Sequence, residues 1–203
     1  MLNTRDHVFA EAIFGSIRRY MEVSHWQCRL EPQSELERQA RAAQMASGIL
    51  GDSPYSGADG TFYGGESVTI TYSPSLLSEP AALIATLAHE LCHYLMATVK
   101  EEPPCGWDEH EILTDLAAVH EGFGIFLSNS AFNFNQWTNI QSAGWQWSKR
   151  GYLSEAELGF SLGIFCVRSK HDPEHIMRFL KPNPGETFWD SLDFIDDLEK
   201  EAT

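Results

Sequence analysis

The sequence predicts an α+β fold that is mostly helical and carries a small β-sheet. Apolar side chains recur at helical spacing over most of the chain, whereas β-branched residues are concentrated in one short stretch, 67–72. The hydrophobic fraction of 43% and the aromatic fraction of 12% are enough to build a core. At 203 residues the chain is expected to form one domain, 1–203, and a core with an appended helical subdomain is the alternative.

The first third of the chain combines helical and strand patterns. Residues 4–22 place apolar side chains at helical spacing and predict an amphipathic helix. Residues 26–31 predict a short strand, and the Ala, Glu, Arg and Gln content of 35–50 favours a helix. The Gly, Pro, Ser and Asp residues of 48–65 predict a loop, and 67–72 predicts the second strand.

Start and stop signals delimit the helices in the rest of the chain. Ser78, with Pro80 in the first turn, is expected to open a helix whose apolar residues continue to about Val99. A capping box at Ser154 and Glu157 is expected to start a later helix that ends near residue 169. The remaining expected segments are a helix at 108–127, a connection at 129–150, and helical segments at 173–180 and 186–200.

The charge balance is strongly acidic and excludes two classes of partner. The chain has 14 Lys and Arg residues against 29 Asp and Glu residues, a formal net charge of −15. Nucleic acid binding requires a basic surface that displaces counterions from phosphates. An anionic membrane surface is disfavoured for the same reason. We therefore expect neither partner and interpret the acidity as favouring solubility.

Targeting patterns and cysteine spacing favour a cytoplasmic location. Charged residues interrupt the apolar positions of 1–23, so this stretch lacks the unbroken apolar core of a signal peptide. The longest apolar stretch, 80–99, contains ionisable residues and is not a plausible membrane span. The cysteines lack a CxxC pair and are expected to be free thiols in a reducing compartment. They are Cys28, Cys92, Cys105 and Cys166.

The pattern HExxH occurs at His89-Glu90-Leu91-Cys92-His93. An α-helix turns about 100° per residue, so His89 and His93 lie one turn apart on one face and can bind the same metal ion. Glu90 can then act as a base on a water held by that metal. The pattern lies within an apolar segment, ALIATLAHELCHYLMA, where polar side chains need a partner. A metal site is therefore favoured over two surface histidines.

Two histidines leave a zinc site incomplete, and Glu111 is the best candidate for the third ligand. A histidine in the pattern HExxHxxGxxH is excluded, because Met96 and Val99 occupy the diagnostic positions. Glu111 and Asp115 lie one turn apart. Asp115 can accept the outer N–H of a ligand histidine and so fix its tautomer. His110 in place of Glu111 is the alternative.

Other donors nearby are weaker candidates. Glu109 has no Asp four residues later, and His120 lies about 180° round the helix from Glu111. Cys92 is expected to pack in the core, and Cys105 lies in a Pro-Pro-Cys-Gly turn. We expect none of them to bind the metal.

HExxH followed by Glu111-Ile112-Leu113-Thr114-Asp115, an ExxxD pattern, resembles the gluzincins, the zinc peptidase group typified by thermolysin. The resemblance covers roughly 66–127, and His110 replaces the Asn that usually precedes the glutamate. A helical C-terminal part at about 152–200 is expected from the start and stop signals alone. The resemblance implies a zincin-like catalytic core at about 66–127. It also implies that the strand preceding the HExxH helix, 67–72, is the sheet edge that pairs with an extended peptide.

The resemblance implies a zinc-dependent metallopeptidase with Zn²⁺ as cofactor and a peptide or protein as substrate. Glu90 would take a proton from the attacking water and deliver it to the leaving amine. The donor for the oxyanion is left open among Tyr152, Arg168, His171 and His175. The alternatives are another zinc-dependent hydrolase and a non-catalytic zinc module that binds a protein. Glu90 favours catalysis, because a structural site has no need of a base.

Overall fold

The structure is a computed structural model that describes residues 6–35, 60–63, 68–139 and 153–201. It divides into two compact units, Met1–Val99 and Lys100–Thr203. The described residues are mostly helical and include one small sheet, which confirms the α+β class. The zincin-like core and the single domain stay predictions.

The sheet belongs to the first unit, and its described residues form three strands in the order β1-β3-β2. They are β1 (Cys28–Pro32), β2 (Gly60–Tyr63) and β3 (Val68–Tyr72). β3 is parallel to β1 and antiparallel to β2, and Ile70 lies opposite both Leu30 and Phe62.

The prediction that the strand preceding the HExxH helix is an edge strand is wrong. β3 is the central strand, so its backbone groups bond to strands on both sides. Every residue of β3 is buried, as is typical of a strand covered on both faces. The range 48–65 was expected to be a loop, but strand β2 forms within it.

The described residues of the first unit include two α-helices. α1 (His7–Tyr20) begins after Asp6, whose carboxylate accepts the Phe9 N–H at 3.2 Å. α2 (Pro80–Thr98) has Pro80 in its first turn, as expected, but Glu79 rather than Ser78 precedes it. Ser78 ends a short 3₁₀ segment, Pro74–Ser78. From residue 85 to 93 every side chain of α2 is buried, so this part of the helix is enclosed on all sides.

In the second unit, the helix expected at 108–127 is broken. A 3₁₀ turn, Trp107–Glu109, leads into α3 (His110–Ala118), and α4 (Gly124–Asn139) follows a π-helical segment, Val119–Phe123. Gly122 adopts φ 90° there, a conformation that glycine reaches without steric strain. α4 includes the first part of the connection expected at 129–150, and the rest of that connection lies outside the described residues.

The C-terminal helices of this unit are α5 (Glu155–Ser169), α6 (Pro173–Met177) and α7 (Pro182–Glu201). The capping box before α5 is confirmed: Glu157 Oε2 accepts the Ser154 N–H at 2.7 Å, and Ser154 Oγ accepts the Glu157 N–H at 3.3 Å. A Cβ added at Gly159 would lie 2.5 Å from Thr187 Cγ2, so α5 and α7 approach closely there. Their shared core contains Leu162, Cys166, Ile176 and Phe188.

The helix expected at 35–50 lies outside the described residues, except for its first residue. All four cysteines are free thiols, as expected. Within the described ranges, no helix combines the length and the apolar character that a membrane span requires.

Candidate metal centre

His89, Glu90 and His93 lie in the enclosed part of α2. Their exposed fractions are 8%, 1% and 1%. The ring centroids of His89 and His93 are 4.6 Å apart and the ring planes meet at 87°. The two imidazoles therefore lie side by side, one helical turn apart, as the spacing predicts.

The surroundings of these side chains are apolar. Leu87, Ala88, Leu91 and Cys92 are fully buried, and the predicted core position of Cys92 is thereby confirmed. Burial of an ionisable side chain is unfavourable unless a partner compensates for the lost hydration. The buried His89, Glu90 and His93 each make contacts in the structure. A core position occupied by three ionisable residues points to a chemical role rather than to stability.

Glu111 and His110 lie at the start of α3. Glu111 is in the first helical turn, where a carboxylate is favoured by the helix dipole. His110 Nε2 lies 3.3 Å from Glu111 Oε1, and both side chains are largely buried. Thr114 Oγ1 donates to the His110 carbonyl oxygen at 2.7 Å.

Asp115 is buried one turn after Glu111, and its carboxylate forms a hydrogen bond with the backbone just before α5. Its Oδ2 accepts the Leu153 N–H at 3.0 Å. No sequence pattern predicts this contact, because it joins residues far apart in the chain. The expected action of Asp115 on a ligand histidine stays a prediction.

His89, His93 and Glu111 each offer a ligand atom, and these atoms all lie within 4.8 Å of one another. Two imidazole nitrogens and one carboxylate oxygen are a donor set that zinc accepts, with a further position left for water or substrate. Glu109, His110 and His120 do not belong to this group, and His120 is exposed. The residues present therefore fit a zinc ion.

The candidates for the oxyanion donor have other contacts. The exposed rings of His171 and His175 lie 5.4 Å from Phe165 and 5.3 Å from Phe179, respectively, between centroids. Arg168 is exposed on α5, and Tyr152 lies outside the described residues. Each of the two histidines thus contacts an aromatic neighbour in its own unit, and the oxyanion donor stays a prediction.

A buried phenol in the first unit was not singled out by the sequence. Tyr72, at the end of β3, lies with its Oη 3.1 Å from His7 Nδ1 on α1. Burial raises the pKa of Tyr72, and the nearby Asp6 and Glu11 carboxylates raise it further. The phenol is therefore protonated at neutral pH and can donate to His7, which ties the start of α1 to the central strand.

No protein-family model matches this chain, and searches of curated proteins and of solved structures found no match either. The resemblance to the gluzincins therefore depends on the residues of the two motifs alone.

Proposed function

We propose that this chain is a zinc-dependent metallopeptidase in which His89, His93 and Glu111 hold the metal and Glu90 is the general base. The observation that supports it most directly is the buried turn of α2. It combines two adjacent imidazoles with a carboxylate between them in sequence, inside an apolar helix. The grouping of Glu111 with both histidines supplies the third donor.

The chemistry assigned to Glu90 follows from its burial. When bound, zinc supplies a Lewis acid that polarises a carbonyl group and lowers the pKa of water toward neutrality. The Glu90 carboxylate is 1% exposed, so little bulk water competes for its oxygens. It accepts a proton from the attacking water and returns that proton to the leaving amine nitrogen. The same group thus serves as base and then as acid.

A structural zinc module is the second candidate function, and the residues favour it less. Structural zinc sites usually close with four protein ligands, whereas the described residues supply a group of three. A purely structural site also has no use for a buried carboxylate next to a ligand histidine. Another zinc-dependent hydrolase would use the same residues, and only the substrate separates it from a peptidase.

The sheet topology shifts the proposed substrate contact from β3 to β2. An extended peptide pairs with an unoccupied strand edge, and β3 has none. β2 is an outer strand of the described sheet, and its backbone lies beside α2. We propose that a peptide substrate adds to the outer edge of β2. The N–H groups of successive residues in a strand point alternately to its two sides, so that of either Thr61 or Phe62 points away from β3. Proline at that position should impair cleavage and leave zinc bound.

Metal analysis combined with a peptide-library cleavage assay tests the function, with wild type and Glu90→Gln compared. We expect about one zinc per chain in both proteins. Cleavage by Glu90→Gln should be at least about 100-fold slower. Zinc in both proteins without peptide cleavage by either would contradict the peptidase and leave the structural module and another zinc-dependent hydrolase as the candidates. A wild-type protein that binds no zinc would overturn the proposal.

A further inference from the structure

Two rows of exposed apolar side chains lie side by side on α5 and α7. Ile164 and Val167 on α5 and Phe194 and Leu198 on α7 are 38–55% exposed. The rings of Phe160 and Phe194 are 5.9 Å apart between centroids, so the two rows meet where the helices pack. We call this surface the seam patch, and it consists of Phe160, Ile164, Val167, Phe194 and Leu198.

Helices α5 and α7 pack closely through residues that do not belong to the seam patch. A Cβ at Gly163 would lie 2.5 Å from Ser191 Oγ, and that hydroxyl lies 3.0 Å from the Gly159 carbonyl oxygen. The shared core of the two helices uses other side chains, among them Leu162 and Phe188. The seam patch is therefore a preformed apolar surface, and contiguous exposed apolar surface is typical of interaction sites.

A row of carboxylates runs along α7 beside the seam patch. Its members are exposed and recur at intervals of three or four residues: Glu186, Asp190, Asp193, Asp197 and Glu201. At about 100° per residue, Phe194 and Leu198 lie between this acidic row and the buried face of α7. Lys200 lies 3.3 Å from Asp197, and the other members have no Lys or Arg partner among the described residues. The acidic row thus keeps most of its charge available to a cationic partner.

We propose that the seam patch and the acidic row together bind a basic amphipathic helix of a partner protein. The apolar face of such a helix covers the seam patch, and its Lys and Arg side chains pair with the acidic row. A second copy of this chain fits poorly, because two acidic rows would face each other in a chain of net charge −15. Anionic lipid headgroups are repelled for the same reason.

Titration calorimetry with synthetic helical peptides tests the proposal on the full-length chain. The probe is an amphipathic helix of lysine and leucine, and the control probe replaces each lysine by glutamate. We expect the first to bind with an affinity that falls as salt is added, and the second not to bind. Phe194→Gln combined with Leu198→Gln should weaken binding at least about tenfold, while the glutamines preserve helix propensity.

A matched pair of charge variants separates the acidic row from the overall acidity. Asp190→Asn, Asp193→Asn and Glu201→Gln should weaken binding about tenfold and flatten its salt dependence. Glu101→Gln, Glu102→Gln and Glu174→Gln remove the same charge from exposed positions elsewhere and should change affinity by less than about twofold.

Three results would overturn the proposal. One is an equal loss of affinity in both charge variants. Another is a concentration-dependent dimer that Phe194→Gln and Leu198→Gln abolish, which would assign the seam patch to a second copy. The third is a large loss of folding stability in that double variant, which would show that the chain itself covers the patch.

Discussion

Helices α2 and α7 place their ionisable side chains in opposite ways. α2 buries His89, Glu90 and His93 among leucines and alanines. α7 exposes its acidic row and buries apolar residues such as Phe188, together with Ser191, whose hydroxyl lies 2.6 Å from a carbonyl oxygen of its own helix. The acidic row stays hydrated, whereas the three ionisable groups of α2 lose hydration when the chain folds.

The difference supports the chemical role proposed for α2. Natural sequences agree with their fold at most positions and depart from the simplest pattern mainly at functional sites. α7 follows the rule that charges lie outside, and α2 violates it at three positions within five residues of one helical turn.

The largest effect is expected at the metal site. His93→Ala should abolish zinc binding, because it removes one of the two imidazoles that lie side by side on α2. Elemental analysis of the dialysed protein measures the zinc content. His120→Ala, at an exposed position, is the control and should retain zinc fully. Full zinc occupancy in His93→Ala would contradict the assignment of His93 as a ligand, and metal binding would no longer explain why this side chain is buried.

Close packing of α5 against α7 gives the next effect. Gly159→Ala should lower the free energy of unfolding by about 1–3 kcal/mol, because the new Cβ would meet Thr187 at 2.5 Å. Urea denaturation measures the change. Gly15→Ala in α1 is the control, since the nearest atom to its Cβ is Arg19 Nη1 at 3.8 Å. It should be neutral or stabilising by up to about 1 kcal/mol.

Asp115 is a buried carboxylate whose two suggested contacts can be separated. Asp115→Ala should weaken zinc affinity by about 10–100-fold if the side chain supports a ligand histidine. Asp115→Asn keeps an oxygen for the Leu153 N–H and should lose less stability than the alanine variant. Competition with a chelator measures zinc affinity, and urea denaturation measures stability. If both variants bind zinc as tightly as the wild type, Asp115 has no part in metal binding and serves only the hydrogen bond with Leu153.

In the metal-free protein, a change at Glu90 is expected to raise the stability rather than lower it, by a smaller amount. Glu90→Gln replaces a buried carboxylate by a neutral group of similar shape. The metal-free variant should be at least as stable as the wild type, with a gain of up to about 2 kcal/mol. Thermal unfolding in the presence of chelator provides the measurement. A clear loss of stability would mean that the carboxylate itself stabilises α2, which contradicts the contrast with α7.

The smallest effect concerns the start of α5. Ser154→Ala should cost about 1 kcal/mol at neutral pH, because it removes the hydroxyl from the capping box. Hydrogen bonds from the Ser154 hydroxyl and backbone lower the pKa of Glu157. The stabilisation linked to Glu157 is therefore complete above its unfolded pKa, about 4.3, and is lost as the pH falls through its lower folded pKa. The difference between Ser154→Ala and wild type should shrink below about pH 4. A difference independent of pH would show that Glu157 takes no part.

Local contacts explain which parts of the site and the fold could be predicted. The capping box joins residues three positions apart, and the HExxH imidazoles lie four positions apart, so helix geometry alone determines that each pair meets. The break at Gly122 was missed because the apolar pattern continues past it, and a glycine in a helical pattern is usually tolerated.

The sequence by itself determined the helical class, the start of α5 and the placing of His89, Glu90 and His93 on one turn of a helix. Only the tertiary structure decided that β3 is central, that β2 forms its second partner, and that Asp115 binds the amide of Leu153. It also decided which apolar residues of α5 and α7 stay exposed in the seam patch. The physical reason is range: helix periodicity operates over one turn, whereas strand order and buried polar contacts join residues that are distant in the chain.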